Sequence, residues 1–164
     1  MAYLLDANVF MSAKNLHYGM DFCPAFWDWL IRENRAGTLF SIEKVGDEIE
    51  AVADELSRWA ATLGTGFFLS PNQATLHSFA VVTAWIQSQK YEAAAIIAFL
   101  QSADYYLVSQ AHADGHIIVT HEVPSASTRK IKIPDVCIGM RMKCVSPYEM
   151  LRNERARFIL APQP

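Results

Sequence analysis

Short apolar runs alternate along this chain with longer segments in which apolar residues return every three or four positions. Ala2–Leu5 is apolar and stops at Asp6-Ala7-Asn8, which predicts a buried strand closed by a turn. After Met20, the spacing of Phe22, Phe26, Trp29 and Leu30 places them on one helical face, and Gly37 ends that helix. Ser41 is read as the cap of a long helix from Ile42 to Leu63, with Val45, Ile49, Val52, Leu56 and Trp59 facing the core and Gly64 closing it. Phe67–Leu69 predicts a short strand. Ser70-Pro71-Asn72-Gln73 is read as a helix start with Ser70 as cap, and helical, alanine-rich sequence runs on to Leu100.

Ser102 caps a further predicted helix, Ala103–Ala113, stopped by Asp114-Gly115. His116–Thr120 is a β-branched run of the kind buried in parallel sheets. His121–Lys130 is a polar loop, Cys144-Val145 a last short strand, and Ser146-Pro147-Tyr148-Glu149 a capping box that opens a final helix. Strands alternating with helices predict an α/β fold, a three-layer α/β/α sandwich around a small, mostly parallel sheet. One domain over residues 1–157 and a loose tail over residues 158–164 complete the expected organisation, since no repeat or linker divides the chain.

Composition narrows the function. Of 164 residues, 14 are lysine or arginine and 17 aspartate or glutamate, a net charge of −3. Bulk positive charge is therefore excluded as a way of holding nucleic acid, and any such contact needs a local basic patch. Three cysteines do not make a secreted disulfide framework, and the N-terminal apolar run is too short for a signal peptide, so a reducing cytoplasm is the expected compartment. The segment between Arg58 and Lys90 is uncharged but interrupted by Gly64, Gly66, Pro71, Asn72 and Gln73, which argues against a membrane span.

Four acids occupy strand ends and helix starts. Asp6 follows the first strand, Glu48 lies early in a helix, Asp104 falls in the first turn of another, and Glu122 comes two residues after the Ile117–Thr120 run. Parallel α/β sheets open their crevice beyond the carboxyl ends of the strands. Carboxylates gathered there repel one another, and a hard dication such as Mg²⁺ or Mn²⁺ offsets that repulsion. Taken singly, each acid also has an ordinary role: Asp6 as a helix cap, Asp104 as a charge at a helix N-terminus, Glu48 as one of several solvated helix acids.

Tyr3-Leu4-Leu5-Asp6-Ala7-Asn8 resembles the opening strand of PIN domains, the nuclease domains of many bacterial toxins. Ser41 through Glu48-Ile49 resembles the segment carrying that family's second acid. Asp104, Ala111, Gly115 and Ile118-Val119-Thr120 resemble its third acid, helix and following strand. The strings Ser41-Ile42-Glu43-Lys44-Val45 and Lys132-Ile133-Pro134-Asp135-Val136-Cys137 further resemble an uncharacterised bacterial branch of the PIN-like group.

The resemblance implies a Mg²⁺- or Mn²⁺-dependent endoribonuclease acting on RNA phosphodiester bonds, as the toxin of a pair with a protein antitoxin. It assigns metal-site roles to Asp6, Glu48 and Asp104. The chain departs from the family at the fourth acid, where glutamate (Glu122) stands for the usual aspartate, and Asp135 competes for that role. Asn8 and Thr120 are read as groups that orient the carboxylates or their waters. Arg129, Lys130 and Lys132 are the candidate RNA contacts, with Tyr105 or Tyr106 as stacking partners. Cys137 and Cys144 are read as core residues. Apolar helices rich in alanine and aromatics are compatible with a homodimer. The competing reading is a PIN-like domain that has lost catalysis and serves as an interaction or RNA-binding module.

Overall fold

The computed structural model describes residues 1–160. Five short parallel strands form one sheet: β1 (Tyr3–Leu5), β2 (Leu39–Ile42), β3 (Phe68–Leu69), β4 (Ile117–Val119) and β5 (Cys144–Val145), in the order β3-β2-β1-β4-β5. Among the described residues nine α-helices flank it: α1 (Ala7–Ser12), α2 (Pro24–Arg35), α3 (Glu43–Glu50), α4 (Glu55–Ala61), α5 (Gln73–Ser88), α6 (Ala93–Leu100), α7 (Ala103–Asp114), α8 (Ile133–Gly139) and α9 (Pro147–Asn153). The protein is thus the three-layer α/β/α sandwich that the alternating pattern predicts, and its sheet is wholly parallel.

Strand β1 is central and buried on both faces, with Leu4 and Leu5 at 0% exposure. Its register sets Tyr3 beside both Leu39 and Ile117, and Leu5 beside Val119. From β1 the chain winds outward through β2 and β3, then crosses back to β4 and β5 on the other side. The winding direction therefore reverses between β1 and β4. At such a point the connections leave in opposite directions and a crevice opens at the carboxyl ends of the two strands. Asp6 leaves β1 and Thr120 leaves β4 at this place.

Several elements differ from the periodicity-based expectation. The long helix over Ile42–Leu63 does not exist. Leu39–Ile42 is a strand, because Leu39 and Ile42 fill buried positions between β1 and β3. Ser41 caps nothing; its hydroxyl donates to the Leu5 carbonyl at 2.6 Å and ties β2 to β1. The remaining stretch breaks after Glu50. Asp54 opens α4 with a capping box, its carboxylate accepting from Ser57 N while Ser57 Oγ accepts from Asp54 N. Val52 lies in that break and is exposed.

The alanine-rich helix likewise divides into α5 and α6, and its cap is Asn72 with Thr75 rather than Ser70. Phe22 lies ahead of α2 and is exposed. Helix α1, which a π-helical turn extends over Ala13–His17, and helix α8 carry no strong apolar periodicity and were not expected. The Ser146–Glu149 capping box does open α9. Phe158 packs edge-on against Tyr18, Phe26 and Trp29, so the packed body extends through it; residues 161–164 of the expected tail lie outside the described residues. No helix among the described residues is long and apolar enough to cross a membrane.

Candidate active site

Asp6 stands in the N-cap position of α1, in extended backbone conformation, yet its side chain makes no cap hydrogen bond. Its Oδ2 instead accepts from the Thr120 hydroxyl at 2.7 Å. That hydroxyl in turn accepts from Asn8 Nδ2 at 3.0 Å and from Glu122 N at 3.1 Å. Asn8 Oδ1 accepts from His121 N at 3.1 Å. One threonine hydroxyl thereby joins the ends of β1 and β4, with its proton and both acceptor sites engaged. Thr120 bonds the Asp6 carboxylate directly, and Asn8 reaches it through the Thr120 hydroxyl.

The acids share one electrostatic neighbourhood. Burial pushes the pKa of Asp6 up to about 6; the Thr120 hydrogen bond opposes this, and the charges of Glu122 and Glu48 add to it. Asp104, in the first turn of α7, rises to about 7 through burial, then through the charges of Asp6, Glu122 and Glu48, against a lowering influence from Lys130. Glu48 on α3 is solvent-exposed along part of its length, but its carboxyl is desolvated enough that burial raises its pKa. Four segments distant in sequence thus bring Glu48 and Glu122 within charge range of both Asp6 and Asp104. Among the described residues no three His, Cys, Asp or Glu side chains are arranged so as to hold a metal ion already. The donor set is nonetheless all carboxylate oxygen, which suits a hard dication.

The two contenders for the fourth position have different surroundings. Glu122 Oε2 accepts from Ile133 N, the first amide of α8, at 2.9 Å. That anchor keeps one carboxylate oxygen at the helix start, with the residue at the crevice. Asp135 accepts from Ser125 N through both oxygens, at 3.0 and 3.2 Å, and so staples the polar loop onto α8. Asp135 has a structural partner of its own, and it is absent from the charges felt by Asp6 and Asp104.

The basic residues separate as well. Lys130 borders the acids and, with Arg129, Phe99 and Asp104, lines a cavity of about 210 Å³. Arg129 pairs with Glu92 at 3.4 Å, and Lys132 Nζ donates to the Val123 carbonyl at 3.4 Å. Tyr105 and Tyr106, the expected stacking partners, are partly buried and already packed. The Tyr105 hydroxyl donates to the Phe79 carbonyl at 3.1 Å, both rings pack on Phe79, and Lys44 lies over the Tyr106 ring.

The sequence reading missed a ring cluster beside Glu122. His17, His121 and Tyr148 have centroids 5.5–5.7 Å apart, and the Tyr148 hydroxyl is 3.1 Å from His17 Nε2. Burial, followed by the His17 charge, lowers the pKa of His121. These residues come from the end of α1, the β4 exit and α9, so no spacing in sequence announces them. His121 and Tyr148 border a second cavity, of about 480 Å³, that also meets Glu122, Cys137 and Cys144.

The family described as "Domain of unknown function (DUF4411)" matches residues 3–158, from the first residue of β1 to the packed Phe158. No curated protein and no solved structure matches the chain.

Proposed function

From the premise that the chain belongs to the DUF4411 family, whose description names no activity, we propose that it is a metal-dependent endoribonuclease hydrolysing RNA phosphodiester bonds. The observation that carries this reading is the gathering of four carboxylates, from four separate segments, at the reversal point of a parallel sheet. Such a cluster is unfavourable by itself, because each buried carboxylate raises the cost of ionising the next. Asp6 and Asp104 would ligate Mg²⁺ or Mn²⁺ directly, with Glu48 and Glu122 completing the site. When bound, such a dication supplies a water of lowered pKa and offsets negative charge on the phosphate.

The chain's own groups supply the rest. Thr120 and Asn8 fix the Asp6 carboxylate. Glu48, desolvated yet reachable from solvent, takes a proton from the attacking water. Lys130, beside Asp104, offers a cation to the phosphate backbone. The PIN-like resemblance of these motifs extends the proposal to a toxin held by a protein antitoxin; the sparse cysteines point to the cytoplasm, and its apolar, alanine-rich helices suit a homodimer.

Labelled single-stranded RNA, incubated with purified protein and Mg²⁺ or Mn²⁺, tests this. Cleavage is expected, and Asp6→Asn and Asp104→Asn, prepared in parallel to exclude host nucleases, are expected to reduce it by about 100-fold or more. Intact RNA with every dication tried, or cleavage that survives both substitutions, overturns the enzyme reading. Intact RNA that is nevertheless retained in a mobility-shift assay identifies a non-catalytic RNA-binding module.

A further inference from the structure

Two of the three cysteines meet at the cavity of about 480 Å³ beside Glu122. Cys137 lies on α8 and is 1% exposed; Cys144 lies on β5, is partly exposed, and lines the same cavity. The six residues between them turn the chain back sharply. Met142 N donates to the Cys137 carbonyl at 2.8 Å, and Arg141 takes a left-handed conformation with φ 57°. This turn brings both cysteines to the wall of one cavity, close enough for each thiol to influence the other's ionisation. Cys23 stands apart, ahead of α2.

We propose that Cys137 and Cys144 form a redox-active dithiol site, oxidised by low-molecular-weight disulfides that enter this cavity, to give an intramolecular bridge between α8 and β5. Cys144 is the attacking group. It lines the cavity and is the more exposed of the two, and the neighbouring Cys137 thiol holds it below the ordinary range, which favours the thiolate. Cys137, 1% exposed and pushed up by the neighbouring Cys144 thiol and by burial, enters second as the resolving thiol.

In the first step the Cys144 thiolate forms a bond to one sulfur of the small disulfide. The disulfide's own S–S bond breaks and releases one thiolate. Cys137 Sγ then attacks Cys144 Sγ, its proton leaves with the second small thiolate, and the bridge closes. The dithiol loses two electrons and two protons, and one small disulfide becomes two small thiols. The path between the segments is short, since only six residues, folded back by the Met142–Cys137 backbone bond, separate two cysteines that line one cavity.

The bridge has a route to the acids. Helix α8 begins at Ile133, whose amide holds Glu122, and β5 pairs with β4, which leads into Thr120. The chemistry at the thiols itself is independent of any nuclease activity.

The folded, full-length protein is equilibrated in buffers of reduced and oxidised glutathione, quenched with acid, alkylated with N-ethylmaleimide after denaturation, and read by intact mass and peptide mapping. As the oxidised fraction rises, alkylatable cysteines are expected to fall from three to one, leaving Cys23. The peptides of Cys137 and Cys144 are expected to be linked, and dithiothreitol to reverse the change. Cys137→Ser should accumulate a glutathione mixed disulfide on Cys144, whereas Cys144→Ser should leave Cys137 unmodified. Three alkylatable cysteines at every ratio, or oxidation that engages Cys23 in place of the pair, overturns the proposal. The wild-type arm decides this alone should either variant fail to fold.

Discussion

The hydroxyl of Thr120 has one proton to donate and two lone pairs to accept with, and Asp6, Asn8 and the Glu122 amide engage all three. Thr120→Val keeps the shape and removes these bonds, leaving a buried carboxylate, an amide and a backbone N–H with one partner fewer. We expect it to destabilise the fold by about 1–3 kcal/mol, read as a lower urea midpoint, while Thr120→Ser restores most of the loss. It should also raise the Asp6 pKa further, since the Thr120 bond is the main influence holding it down; the carbon resonance of the Asp6 carboxyl reports that. Gly139 carries a different constraint. A Cβ there would lie 1.9 Å from the Trp85 ring, and the ring is rigid. Gly139→Ala must therefore displace α8 or Trp85, at a cost of about 1–3 kcal/mol in thermal or urea unfolding. At this scale the sequence was legible for Asp6 and Asp104, whose positions follow from a local strand end and a local helix start. It was silent on Gly139, because the ring that crowds it lies more than fifty positions away.

Among the elements, the stretch from Leu39 to Ala61 shows where periodicity misleads. Apolar residues at helical spacing run through it without interruption, and nothing in that spacing reveals that its first four residues pair with two strands. The break between α3 and α4 is marked only by Asp54, which both caps α4 and pairs with Lys14 from the turn after α1. Asp54→Ala removes both interactions. An expected loss of about 0.5–2 kcal/mol follows from the cap alone, and hydrogen exchange should quicken at the first turn of α4 while α3 is unaffected. Equal change in both helices would mean that they behave as one unit. Helix α8 was invisible for another reason: it is short, and its role is to present Ile133 N to Glu122 and Asp135 to Ser125. With α8 unseen, the choice between Glu122 and Asp135 had no basis in sequence.

For the whole molecule, the acidic crevice couples folding to pH and to cations. Asp6 and Asp104 have pKa values of about 6 and 7 in the folded protein against 3.8 for the unreacted side chain. Between those values the folded state binds more protons than the unfolded state, so stability falls as pH rises. The stabilisation is complete below pH 4 and is lost as pH passes through 6 and 7. From pH 5.5 to pH 8 the two carboxyls together should remove about 3 kcal/mol, read from urea unfolding in EDTA. Asp104→Asn should flatten most of that dependence, and Mn²⁺ at pH 8 should restore the midpoint for the wild type but not for the variant. An unchanged midpoint from pH 5.5 to pH 8 would show that the crevice acids are well solvated.

By itself the sequence determined the layering and the parallel character of the sheet, and it singled out Asp6 and Asp104 at a strand end and a helix start. These depend on short-range regularities: alternation of apolar runs, capping residues, and a charged residue where a strand stops. Only the tertiary structure decided that β2 is a strand, that Glu122 rather than Asp135 lies within charge range of Asp6 and Asp104, that Arg129 pairs with Glu92, and that Cys137 and Cys144 line one cavity. Each of those outcomes depends on which distant segment lies alongside, and the free energy of such contacts is spread over both partners, so neither segment carries its sign alone.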